Sequence, residues 1–142
     1  MLYYVYKVDK EGWELDSIKL TSSEWNILNC LWEHSPRTVM QIVGELEKTV
    51  GWARSTTITN LHRMEAKGLV RCQQAGRGKA YVPLVDREQA TITETRSFLD
   101  RVYRGSVGLM MSAMAQRQEL SGEDIAELRE ILAKAEEGRR SE

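Results

Sequence analysis

A chain of 142 residues with 42% hydrophobic and 29% charged residues has the composition of one globular domain, or of one small domain with an appendage. No apolar run approaches the roughly 20 residues of a membrane span, so insertion into a bilayer is excluded. A net charge of −1 excludes a uniformly basic protein, and two distant cysteines, Cys30 and Cys72, exclude a disulfide scaffold and suit a reduced cytoplasm, where the protein is expected.

Residues 1–20 read as an N-terminal extension. The start MLYYVYKVDKEGWELD carries Lys7, Asp9, Lys10 and Glu11 beside a short apolar stretch, which is not the order of a signal peptide. Tyr3 to Tyr6 has strand propensity, and Trp13, Leu15 and Ile18 hint at alternation, giving an added edge strand or a loosely held arm.

At Thr21 the signals sharpen. Thr21-Ser22-Ser23-Glu24 is a capping box, and the helix it opens has Trp25, Leu28, Leu31 and Trp32 inward and stops before Pro36. A second box, Thr38-Val39-Met40-Gln41, opens a short helix with Ile42, Val43 and Leu46 inward, and Gly51 allows the next turn. From Arg54 no Pro or Gly occurs until Gly68, room for about three to four helical turns. Thr57, Leu61 and Met64 form its inward stripe, while Arg54, Ser55, Ile58, Thr59, His62 and Arg63 lie on the other face. Gly68 stands where a helix end wants positive φ, with Lys67 just inside to meet the dipole. Leu69–Gln74 and Lys79–Pro83 are strand candidates joined by Ala75-Gly76-Arg77-Gly78, a hairpin connection.

Past Pro83 the composition changes. Asp86 is a plausible N-cap, and Ile92, Leu99, Val102 and Tyr103 follow at helical spacing before Gly105 and Gly108 interrupt. Val107, Met110, Met111 and Met114 give another stripe, and Ser121-Gly122-Glu123-Asp124 starts a last helix that Gly138 ends. In it Ile125, Leu128, Leu132 and Ala135 have the seam spacing of helices packed on one another. Such helices cannot bury their own stripes against so small a domain, so residues 85–142 read as a helical dimerisation region. Its expected interface residues are Leu99, Val102, Tyr103, Met110, Met114, Leu128 and Leu132.

The fold class is therefore mainly α with a small β-hairpin wing: a winged helix-turn-helix over residues 21–84, then the helical dimerisation region. Charge agrees. Between Trp52 and Ala80 six cations (Arg54, Arg63, Lys67, Arg71, Arg77, Lys79) face Glu65 alone, a local +5 that leaves −6 for the rest. A basic patch on an acidic body is the footprint of a phosphate-binding face. The expected partner is double-stranded DNA, with Arg54, Arg77, Lys79 and the helix start at Thr38 on phosphates. Ser55, Thr56, Thr59, His62 and Ile58 would read base edges, the methyl groups favouring thymine. Arg63 would meet a phosphate or serve in packing.

These residues resemble the penicillinase-repressor (BlaI/MecI/CopY) family of bacterial regulators. The likeness is carried by LTSSEWNILNCLWE, WARSTTITNLHRMEAKGLV, GRGKAYVPLVDRE, FLDRVYRGSVGLMM and ELSGEDIAELREIL, in order, over about residues 20–137. It implies a homodimeric transcriptional repressor on a pseudo-palindromic operator, with Ser55, Thr56, Thr59 and Arg63 matching the family's recognition helix. Ile58 and Asn60 depart from that pattern, so base preference does not transfer. The resemblance also implies, for the antibiotic-responsive members, a membrane sensor protease that triggers cleavage at an Asn-Phe bond; Ala113-Met114 stands there in this chain. The copper-responsive members carry a cysteine-rich tail, and KAEEGRRSE has no cysteine.

Two other readings share part of this pattern. MarR-type regulators would accept STTITNLHRMEAKGLV, but they carry a longer helical region before it and an acidic wing signature absent from this chain. A winged-helix protein–protein adaptor would have no need of bases on a helix face and a hairpin tip together. Catalysis is not expected: Cys30 and His34 are four apart near a helix C-terminus, where the dipole disfavours a thiolate, and no third group orients the imidazole. Two histidines and two cysteines this dispersed offer no metal site, and no cofactor is expected. The methionines at 110–114 read as core or interface filler rather than a ligand pocket.

Overall fold

The computed structural model describes residues 3–7 and 14–18 by their backbone and residues 20–141 in full. The N-terminal extension forms two strands, β1 (Tyr3–Lys7) and β2 (Glu14–Ile18), paired antiparallel with Tyr3 opposite Ile18 and Lys7 opposite Glu14. They make a sheet of their own and add no edge to the wing.

Helix α1 (Ser22–Glu33) starts where the capping box requires: Thr21 Oγ1 accepts from the Glu24 amide at 3.2 Å, and Glu24 Oε1 accepts from the Thr21 amide at 2.8 Å. Its inward set differs from the expected one. Ile27, Leu28, Cys30 and Leu31 are buried, while Trp25 and Trp32 lie half-buried at the rim, edge to face at 5.7 Å. An indole is too large and too polar at nitrogen for the centre of a core this small; Trp32 Nε1 donates to the Val85 carbonyl at 2.9 Å instead.

A two-residue strand not foreseen in the sequence, β3 (Arg37–Thr38), leads into α2 (Val39–Val50), which buries Ile42, Val43 and Leu46 as expected. The Thr38 capping box is present with Gln41 at its third position. Gly51, at φ +70°, turns the chain toward α3 (Arg54–Lys67), which buries Thr57, Leu61 and Met64 and ends on Gly68 at φ +78°. The hairpin follows as β4 (Val70–Ala75) and β5 (Gly78–Pro83), in the sheet order β3-β5-β4. Its turn is the pair Gly76-Arg77, with φ +61° at Gly76 and no positive φ at Arg77, which fits type II′.

The core of this first unit joins α1, α2 and α3 to the wing base through Leu61, Met64, Leu69, Val70 and Tyr81, and it extends to Val85 and Ala90. One buried carboxylate ties the helices together. Glu24 is 3% exposed, and its second oxygen accepts from Lys67 Nζ at 2.9 Å, so α1's start is pinned to α3's end. Thr57, by contrast, is fully buried with a hydroxyl that has no partner. Thr57→Val, which removes that desolvated hydroxyl at constant shape, is expected to leave stability unchanged or raise it by about 1 kcal/mol. A clearly lower urea midpoint would show that the hydroxyl is bonded after all.

Tyr81 gives a pH dependence. Burial first, then Cys72 and Glu65 beside it, pushes its phenol up to about 12 from an ordinary 10. The fold therefore holds the proton more tightly than the unfolded chain does. This stabilisation is complete below about pH 10 and is lost as pH rises toward 12, a change of about 2 kcal/mol. Tyr81→Phe should remove that part of the alkaline loss, read as a smaller drop in melting temperature between pH 9 and 11.

Contacts divide the chain after Thr95, into residues 1–95 and 96–142. That division falls within α4 (Arg87–Tyr103), started by Asp86, whose Oδ2 accepts from the Gln89 amide at 3.0 Å. Arg104 and Gly105 take positive φ and break the chain there. Gly108 was expected to interrupt as well, but it lies inside α5 (Val107–Gln116), capped by Ser106. The last helix, α6 (Gly122–Arg140), opens on a reciprocal Ser121–Asp124 box. It runs through Gly138, against expectation; a glycine inside a helix costs only about 1 kcal/mol, and the Ser141 amide still reaches the Glu137 carbonyl. No residue of the second unit is buried among those described. No helix among the described residues is long and apolar enough to cross a membrane.

Candidate nucleic-acid interface

The outer face of α3 follows from its inner one. With Thr57, Leu61 and Met64 sealed into the core, residues 55, 59, 62 and 63 must point away, and Ser55, Thr59, His62 and Arg63 are all exposed, as is Arg54 at the helix start. Thr56 is exposed too, and its carbonyl accepts from Asn60 Nδ2 at 2.9 Å. Ile58 is half-buried, leaving part of its side chain outward. Among the described residues, none of the side chains of Arg54, Ser55, Thr59, His62 and Arg63 has a hydrogen bond or ion pair. A helix face rich in donors and acceptors that spends none of them internally is available to a polar ligand.

The N-terminus of α3 adds a feature the sequence reading passed over. Ala53 is its N-cap and supplies no side-chain bond, whereas α1, α2, α5 and α6 all have a capping side chain. The Thr56 amide already donates to the Ala53 carbonyl at 3.1 Å, but no side chain caps the amides of Arg54 and Ser55, and the turn holds no acidic residue. Alanine at an N-cap, a position it rarely suits, was the available signal.

The wing supplies the second group of cations. Arg77 sits in the turn and Lys79 at the start of β5, opposite Gln74, and both are exposed and unpaired among the described residues. Gln74 Nε2 donates to the Gly76 carbonyl at 3.3 Å, bracing the turn. Lys67, counted in the local +5, is instead committed to Glu24; Arg54, Arg63, Arg71, Arg77 and Lys79 have no ion pair among the described residues. Thr38 is exposed, with its hydroxyl used in the cap of α2.

The chemical alternatives have little geometry behind them. Cys30 is buried and its thiol is raised, chiefly by burial; it accepts from Arg37 Nη1 at 3.4 Å rather than meeting His34, which is exposed. No cluster of three potential metal ligands occurs among the described residues.

The expected interface residues of the C-terminal region all lie in the second unit, and none belongs to the first unit's core. Val102 and Leu132 are exposed, while Leu99, Tyr103, Met110, Met114 and Leu128 are half-buried.

Comparison with known proteins matches residues 20–134 to the family model described as Penicillinase repressor. The penicillinase repressor of Bacillus licheniformis is 32% identical over 114 residues, covering 80% of this chain and 89% of that protein. The methicillin resistance regulatory protein MecI of Staphylococcus aureus (strain N315) is 25% identical over 116 residues, covering 82% of this chain and 94% of that one. A solution structure of monomeric Bacillus licheniformis BlaI in complex with the blaP half-operator has 28% identity and a TM-score of 0.47, covering 51% of this chain and 88% of that one.

Proposed function

The chain belongs to the penicillinase repressor family, and from that premise we propose that it represses transcription as a homodimer bound to a pseudo-palindromic DNA operator. The observation that carries this reading is the outer face of α3, exposed and without internal bonds, followed directly by a hairpin tipped with Arg77 and Lys79. The helix has the width to enter a major groove, and the wing cations then meet flanking phosphates. Ser55, Thr56, Thr59 and His62 read base edges, the outward part of Ile58 meets a thymine methyl, and Arg54, Arg63 and the start of α2 at Thr38 hold the backbone.

One such unit covers too few base pairs for useful specificity, so two must be joined. The second unit supports this role because it leaves large apolar side chains uncovered among the described residues: Val107, Leu109, Ile131 and Leu132 are all more than half exposed. Separating those helices releases DNA. A sensor protease as partner would act at Ala113–Met114, inside α5 and half-buried, which favours separation over cutting at that bond.

The test is a gel shift of the purified protein on a duplex covering the promoter of its own gene, with and without competitor DNA. A shift that survives competitor is expected. No shift even at low salt, where nonspecific binding should appear, would remove DNA from the reading and leave a protein-binding adaptor.

A further inference from the structure

The wing's cations act at the end of a lever, and the structure shows what holds its base. β5 is the central strand of the three-stranded sheet, with β4 on one side and β3 on the other. β3 consists of Arg37 and Thr38, and Arg37 lies directly opposite Tyr81. The Arg37 side chain is 12% exposed, and its guanidinium is fastened at three points on the helical frame: Nε donates to the His34 carbonyl at 3.0 Å, Nη1 donates to Cys30 Sγ at 3.4 Å, and Nη1 stands 4.0 Å from Glu45 Oε2. Burying a guanidinium is costly, and none of these acceptors is a close carboxylate. What the arrangement provides is rigidity: α1, the turn after it and α2 converge on one planar group with fixed donor directions, and the backbone of the same residue pairs with the wing strand β5.

We infer that Arg37 is a positioning residue for the wing, holding β5 so that Arg77 and Lys79 meet DNA phosphates at the right place. This rests on the DNA-binding reading above. From Tyr81 to the turn is about 10–13 Å at roughly 3.3 Å per residue, so a 10° tilt at the base moves the tip by about 2 Å. That displacement exceeds the whole range of a good hydrogen bond, about 2.7–3.2 Å. The apolar residues at the base, Val70, Ala80 and Tyr81, resist withdrawal of the wing but fix its direction only loosely, since apolar packing is not directional. Arg37 supplies the directional hold.

The experiment measures binding to the same promoter duplex across a salt series, for Arg37→Met in two backgrounds: the native chain and the Arg77→Ala/Lys79→Ala chain. In the native background Arg37→Met should weaken binding about fivefold and make the salt dependence shallower by about one phosphate contact. With the wing already neutral it should cost nothing further. An equal loss in both backgrounds would show a general structural role, and no loss in the native background would also overturn the inference. Should Arg37→Met fail to fold, Arg37→Lys keeps the charge but not the fork, and the same non-additivity is expected at smaller size. A native chain that never shifts the duplex would instead refute the DNA-binding reading, which separates the two failures.

Discussion

A chain carrying Leu128→Glu and Leu132→Glu should run as a monomer and bind its operator about a thousandfold more weakly, while its affinity for a half-operator stays within a factor of two. Both positions lie on α6, which buries nothing within the chain although Ile125, Ile131 and Leu132 are all exposed beside half-buried Leu128. Covering a leucine with a partner subunit is worth about 1.5–3 kcal/mol, and a two-fold axis counts every residue twice. Replacing two leucines by glutamates removes that gain four times over and requires four carboxylates to be desolvated. The fold of the first unit should be indifferent, because neither residue belongs to its core. The large effect on the operator comes from linkage: joined units present the second to DNA at an effective concentration of about millimolar, and a monomer loses that factor. Light scattering reads the mass, and binding to full and half operators reads the coupling. A double variant that remains dimeric places the interface elsewhere, and a monomer with undiminished operator affinity removes the need for a dimer.

The Arg77→Ala/Lys79→Ala chain should lose about 30- to 100-fold in operator affinity at physiological salt, with the slope of log affinity against log salt reduced by about 2. Both side chains are exposed and make no bond among the described residues, so the melting temperature should stay within about 1 °C. Because phosphates carry no sequence, the loss should be nearly the same on operator and random duplex. Ser55 and Thr59 behave differently: alanine there should cost affinity on the operator and little on random DNA, since a lost base-edge bond is felt only where the base was right. Measuring all three variants on both duplexes separates holding from reading. Equal effects of wing and helix variants on both duplexes would mean that α3 does not read sequence.

Much of the DNA-binding unit was legible because its signals are local. Thr21 with Glu24, and Thr38 with Gln41, are reciprocal side-chain and backbone bonds within one turn, and each helix starts where they stand. Gly51 and Gly68 mark left-handed ends that few other residues tolerate. The stripe of Thr57, Leu61 and Met64 fixes which side of α3 faces outward, so the candidate base-reading residues could be named without coordinates. Glycine misled at Gly108 and Gly138, where the chain stays helical because a mid-helix glycine costs about 1 kcal/mol and neighbouring helical bonds make it up.

Other features were illegible because they depend on residues far apart in sequence. The strand β3 exists only because β5, some 43 residues on, offers an edge to Arg37 and Thr38. Lys67 looked like a free member of a basic patch until Glu24, 43 residues earlier, was found against it. Trp25 and Trp32 have the spacing of core residues but sit at the rim, where the Trp32 indole N–H finds its acceptor in the Val85 carbonyl. What the sequence determined by itself was the set of helices, the capping boxes at Thr21 and Thr38 and the buried faces of α2 and α3, because those depend on neighbours within about four residues. What only the tertiary structure decided was which cations remain free and what anchors the wing, because a charge is spent or spared according to what the folded chain brings beside it.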